Sequence, residues 1–169
     1  NAPDETAEDG VYSASVVVPS DSSVLEAIFV VEAEAAGKSP ASARMVVPVT
    51  HAPANDHFNE RAGLSGRRVV LTDYTNRGAT AEQGERRHYY MLPQKTVWFT
   101  WTAPRNGRAD LWLRGSSFDT LLAVYRGSSL NSLRRVARND DYGSHLTSRV
   151  RFHVRRGRTY QFVVDGWGG

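Results

Sequence analysis

The chain has 169 residues, 40% hydrophobic and 23% charged, with a formal net charge of +3. That length suits one full domain with a fragment, or two small domains. There is no cysteine, which excludes disulfides, thiolate nucleophiles and cysteine zinc sites, and no apolar run reaches the length of a membrane helix.

The charge is unevenly placed. Residues 1–51 carry eight acids against two bases, a net of −6, and the remainder carries 19 bases against ten acids, a net of +9. The two parts can therefore attract each other, within a molecule or between neighbours. Only Lys38 and Lys95 are lysines; every other base is arginine, whose planar fork pairs with carboxylates and stacks on aromatics.

The chain opens Asn1-Ala2-Pro3-Asp4, the start expected of a piece of something longer. Residues 1–10 are acidic. Strand-like runs follow over 11–18, 24–34 and 43–49, separated by Pro19-Ser20-Asp21-Ser22-Ser23 and Gly37-Lys38-Ser39-Pro40, both strong breakers. Three strands fall short of the seven or so of an immunoglobulin-like sandwich. Residues 1–50 are read as a partial Ig-like or fibronectin-like β segment with an acidic tail. A linker over 51–54 follows, with Pro53 favouring an extended chain before it. The charge changes sign at the same place.

Beyond residue 55 the pattern is short strands with glycine-marked turns. Val97, Phe99 and Trp101 alternate with Trp98, Thr100 and Thr102, the period of a strand. Strands are predicted over 67–71, 96–102, 108–114, 120–125, 133–137, 148–154 and 159–165, with one helical turn over 79–85. Gly107, Gly115, Gly127, Gly143, Gly157 and Gly166 punctuate them. The fold class is all-β, an antiparallel sandwich.

Residues 55–169 resemble a known family. The likeness rests on Asn55-Asp56-His57-Phe58, Leu64-Ser65-Gly66, Asn76-Arg77-Gly78-Ala79-Thr80, Glu82, Gly84-Glu85 and His88. It continues through residues 97–104, Gly115-Ser116-Ser117-Phe118-Asp119-Thr120, Leu122-Ala123-Val124-Tyr125, Asn139-Asp140-Asp141, Gly157-Arg158-Thr159-Tyr160 and Val164-Asp165-Gly166. These are similar to the bacterial pre-peptidase C-terminal (PPC) domain, in the version common in planctomycete and verrucomicrobial surface proteins. The resemblance implies a jelly-roll-like sandwich, secreted, appended to enzymes or adhesins and without a reaction of its own. Some members of that family bind calcium, and some bind polymers such as collagen. The family continues past Val164-Asp165-Gly166 with one more strand, whereas this chain stops at Trp167-Gly168-Gly169. The sandwich is therefore expected to lack its last strand and to present an open edge or groove.

Three groups of residues are candidate sites. Asp119, Asn139, Asp140 and Asp141 offer the hard oxygens that calcium takes; the same residues also form turns by bonding their own backbone. Arg149, Arg151, His153 and Arg155 alternate with Val150, Phe152 and Val154, which puts the cations on one face of a strand. That stripe is either a grip for an anionic partner or a solvated face paired with nearby carboxylates. Trp98 and Trp112 are expected on an outer face, where they suit a sugar, and Trp167 is expected beside the missing strand. Trp101 is expected in the core.

Catalysis finds little support. His51, His57, His88, His145 and His153 are scattered, and neither a His-Glu-x-x-His zinc motif nor a Gly-x-Ser-x-Gly elbow is present. The sequence therefore reads as a non-catalytic extracellular module of a larger bacterial protein, used for adhesion or substrate targeting. Its expected partners are a polysaccharide or a matrix protein, with neither nucleic acid nor a membrane span. The alternative is a structural subunit or repeat of an extracellular filament, in which copies complete one another through edge strands.

Overall fold

The computed structural model describes residues 26–33, 41–48, 51–72 and 74–166. Two compact units divide the chain, Asn1–Thr50 and His51–Gly169. In the first, β1 (Glu26–Ala33) pairs antiparallel with β2 (Ala41–Pro48), Glu26 lying opposite Pro48 and Ala33 opposite Ala41. The strand expected over 11–18 lies outside the described residues.

The second unit is an all-β sandwich. Its strands are β3 (Ala62–Leu64), β4 (Val97–Thr102), β5 (Gly107–Trp112), β6 (Thr120–Arg126), β7 (Arg134–Asn139), β8 (Arg149–Val154) and β9 (Thr159–Gly166). A five-stranded sheet runs β3-β4-β9-β6-β7, and β5 and β8 form a two-stranded sheet. Every pairing is antiparallel except β3 with β4.

Period-2 alternation builds the core between the sheets. From the large sheet come Val97 and Phe99, Leu122 and Val124, Tyr160 and Phe162; from the small one come Val150, Phe152 and Val154. The other face of the large sheet is not solvated. Trp98, Ala123, Tyr125 and Val163 form a second apolar cluster there with Phe58 and Leu133. Residues 55–60 and the stretch before β4 cover it, so β4, β6 and β9 are buried on both faces.

Side chains hold this covering layer in place of a ladder. Asn55 donates Nδ2–H to the Trp98 carbonyl at 3.0 Å and accepts the Trp98 N–H at 2.8 Å. Asp56 accepts the Thr80 N–H at 2.7 Å and its hydroxyl at 2.8 Å. Glu82 accepts the Phe58 N–H at 2.9 Å. Asp165, buried on β9, accepts the N–H groups of Lys95 and Gly166 on Oδ1 and of Gln94 on Oδ2.

The structure corrects two predicted elements. Residues 79–85 form turns and no helix, and residues 67–71 form no strand. Val69, Val70 and Leu71 are exposed; their β-propensity meets no neighbouring strand to pair with. Conversely β3, three residues centred on Gly63, is too short to show a period.

Candidate functional site

The antiparallel pairing of β6 with β7 brings distant aspartates together. Asp119 directly precedes β6, while Asp140 and Asp141 directly follow β7. One carboxylate oxygen from each lies within 4.8 Å of the others. The loop that follows is pinned back to the sheet: Tyr142 and His145 exchange backbone hydrogen bonds of 3.2 Å, and Leu146 accepts the Thr120 N–H at 2.9 Å. Buried Ser148 donates its N–H to the Thr120 hydroxyl at 2.8 Å, and its hydroxyl bonds the Asp140 carbonyl at 2.7 Å.

The cluster is electrostatically strained. Burial, then the Asp141 charge, pushes the Asp119 carboxyl above its ordinary value. Burial, then Asp141 and Asp119, does the same to Asp140. Asp119 Oδ1 is buried and has no hydrogen-bond partner. Converging carboxylates with an orphaned oxygen fit a hard divalent cation, and three carboxylates supplemented by carbonyls or water suit calcium. Asn139 is placed differently from its neighbours. Its Oδ1 accepts the Arg149 N–H at 2.9 Å and so caps the start of β8.

On β8 the predicted alternation is present: Val150, Phe152 and Val154 are buried, while Arg151 and His153 are exposed. Arg149 and Arg151 converge on Asp110 of β5. Arg149 donates Nε–H to Oδ1 at 2.8 Å and Nη2–H to Oδ2 at 2.6 Å, and Arg151 donates Nε–H to Oδ2 at 2.9 Å. The hydrogen bond from Arg149 chiefly holds the Asp110 carboxyl down at about 2. The Arg149 guanidinium also lies 4.7 Å from the Trp112 ring centre and 4.9 Å from that of Tyr142. Arg114 approaches Trp112 at 5.1 Å. Half of the stripe is thus engaged in a local network, with Trp112 exposed beside it. Arg155 is exposed beyond the end of β8, its backbone N–H donating to the Tyr160 hydroxyl at 3.1 Å.

Trp98 is not a surface residue. It is 0% exposed, packed edge-on to Phe58 with ring centres 5.1 Å apart. The covering layer occupies the face on which alternation placed it. Trp101, expected in the core, is half-buried at the rim and donates Nε1–H to the Gly66 carbonyl at 2.9 Å. Trp167 lies outside the described residues.

Two further features take their form only in the fold. His88 bonds Glu85 Oε1 through Nε2 at 3.1 Å and Tyr125 Oη through Nδ1 at 2.9 Å, all buried. Glu85 Oε2 accepts the Glu82 N–H at 2.9 Å and the Thr96 hydroxyl at 3.1 Å. Burial pushes the Tyr125 phenol up to about 12. The second feature is a cleft of about 590 Å³ lined by Leu64, Val70, Trp101, Leu111, Leu113 and Phe162, among others. It lies along β5, which pairs only with β8 among the described residues. The run Val69-Val70-Leu71, read from sequence as a strand, forms one of its walls.

Comparison with family models, with curated proteins and with solved structures gives no match. Among the described residues no helix is long and apolar enough to cross a membrane.

Proposed function

We propose that the chain is a non-catalytic binding module of a larger bacterial surface or secreted protein, of the PPC type that its motifs resemble, acting in adhesion or substrate targeting. The observation that carries this reading is the 590 Å³ cleft along β5, apolar within and edged by Arg67, Arg105, Arg108 and Arg114. Open concave surfaces with a few polar groups are where proteins hold ligands. The buried groups resembling a catalytic set support the same reading. His88, Glu85 and Tyr125 are closed off from any substrate and tie the covering layer to the sheet. In this reading calcium sits between Asp119, Asp140 and Asp141 and orders the loop beside Trp112. The test is an array of glycans and matrix proteins, collagen included, run beside light scattering. A monomer that binds an array component supports the reading; a polymer that binds none refutes it.

One observation favours the structural alternative. The edge of β5 that meets no strand among the described residues lies above an apolar cleft, the geometry of strand addition, where main-chain hydrogen bonds give affinity and alternate side chains fill pockets. Concentration-dependent polymerisation, abolished by Leu111→Lys at the cleft wall, is its expected outcome.

A further inference from the structure

The end of the sandwich opposite the aspartates carries a second charge cluster. Arg126, the last residue of β6, lies directly opposite Arg134, the first of β7. Like charges directly opposite on an antiparallel pair destabilise it. Arg158, from the turn between β8 and β9, joins them around a hollow of about 420 Å³ whose remaining lining is Gly127, Ser128, Ser132 and Thr159. Among the described residues no carboxylate lies within ion-pair distance of these three arginines. The turn that shapes the hollow is fixed from below: Gln161 on β9 donates Nε2–H to the Gly127 carbonyl at 3.0 Å.

Gly127 is required there. Its φ is +133°, and a Cβ would sit 2.8 Å from the Ser132 carbonyl oxygen. The close approach of the two sides of the turn keeps Arg126 and Arg134 side by side.

Edge protection explains part of this cluster. β7 is an outer strand of the large sheet, and charged residues on edge strands deter aggregation. That argument covers Arg134. It does not cover Arg126, on a strand flanked by β9 and β7, or Arg158, on a turn. Three guanidinium groups around one hollow, without an ion-pair partner among the described residues, leave a repulsion that an anion would relieve.

We propose that this hollow is the contact for a sulfated polysaccharide, which names the ligand class of the binding-module reading and rests on that reading. Guanidinium forks match sulfate oxygens with two parallel hydrogen bonds. The spread of three cations over an open surface suits a chain whose anionic groups repeat, and the Ser128 hydroxyl suits a sugar hydroxyl. No aromatic side chain lines the hollow, so it lacks the stacking platform on which single-stranded nucleic acid relies.

The experiment measures binding of the whole chain to immobilised dextran sulfate, to unsulfated dextran, to an array of glycans and matrix proteins that includes collagen, and to a single-stranded DNA oligonucleotide, at several salt concentrations. The expected result is salt-sensitive binding to dextran sulfate alone. Arg126→Gln/Arg134→Gln/Arg158→Gln should weaken it at least about tenfold and flatten its salt dependence. Arg68→Gln/Arg77→Gln/Arg87→Gln removes the same charge from exposed positions outside both the hollow and the cleft and should leave affinity within about twofold, since screened surface charges away from the contact contribute little. Both variants should melt no lower than the unmodified protein. Equal weakening by the two triplets, or equal binding of DNA, overturns the proposal. Binding to collagen or a neutral glycan that the first triplet leaves intact removes this site while the module reading stands; no binding in any arm removes both.

Discussion

Replacing Asp140 by asparagine separates a cation site from a set of turn-forming aspartates. Two unit charges no more than 4.8 Å apart repel by at least about 0.9 kcal/mol in water and about 3.5 kcal/mol at an effective dielectric of 20. Asp141 is exposed and the other two are half-buried, so the lower figure applies, about 1 kcal/mol per pair. Asp140→Asn removes two pairs and relieves about 1–2 kcal/mol, a rise in Tm of about 4–8 °C for a unit of this size. That gain is expected in chelator. In ~10 mM calcium the unmodified protein should gain about 1.4–2.7 kcal/mol, taking the ~10⁻⁴–10⁻³ M affinities of extracellular modules, and Asp140→Asn should gain little.

The pH dependence carries the same sign. Asp119 and Asp140 have folded values raised above the unfolded 3.8. Their contribution to stability is complete below 3.8 and is lost as pH rises through the raised values. In chelator the cluster therefore favours the folded state more at pH 4 than at pH 7. In calcium the order reverses, because protons displace the ion. The assay is thermal unfolding at pH 4, 5.5 and 7, with calcium and with chelator. If Asp140→Asn lowers Tm in chelator and calcium leaves the unmodified protein unchanged, the three aspartates are turn formers and the cation reading is lost.

Three other substitutions test the architecture by urea unfolding. Trp98→Ala should cost about 3–5 kcal/mol, the range for a large aromatic removed from a packed core; a loss below 1 kcal/mol would place it at the surface after all. His88→Ala leaves the buried Glu85 carboxylate without its ring partner and should cost about 3 kcal/mol or more, whereas an unchanged midpoint would mean that the covering layer is not held by this network. Asp110→Asn should cost about 1 kcal/mol, since the pair with Arg149 and Arg151 is partly exposed. Asp110 is held down at about 2, so its contribution is present above pH 3.8 and lost as pH falls through about 2. A loss already evident between pH 7 and 5 would contradict that sign.

The strands were legible wherever period-2 alternation had a partner to serve. Val97–Thr102 is the strand expected over 96–102, and β6, β8 and β9 lie within a residue of their predicted bounds. Alternation states that two faces differ, not what covers each. For that reason Trp98 was assigned to solvent, although Asn55, Phe58 and His88 come from well before it in sequence to cover it. The same limit applies to Val69-Val70-Leu71, whose composition is that of a strand but whose backbone meets no ladder. The aspartate cluster was legible as residue types only. Twenty-one positions separate Asp119 from Asp140 in the chain, and the register of β6 with β7 brings them together.

The residues that carry the family resemblance divide by burial, and the division bears on function. Asn55, Asp56, His88 and Asp165 are buried, and with Thr80, Glu82 and Glu85 they bond backbone or one another. A fold that needs a covering layer without a ladder needs these groups whatever it binds. Their likeness to another family therefore speaks for architecture and is silent on ligand. Arg126 and Arg134 fall outside the motifs, whereas Arg158 lies within Gly157-Arg158-Thr159-Tyr160, and all three are exposed. Such residues can change without cost to the fold, so they are free to set what the module holds. Arg126 lies opposite Arg134 at a cost to the β6–β7 pairing, and relief of that cost by a bound anion links the stability of the sheet end to occupancy of the hollow. Dextran sulfate should accordingly raise the Tm of the unmodified protein and leave that of Arg126→Gln/Arg134→Gln/Arg158→Gln unchanged. An equal rise in both would mean that the anion acts elsewhere on the surface.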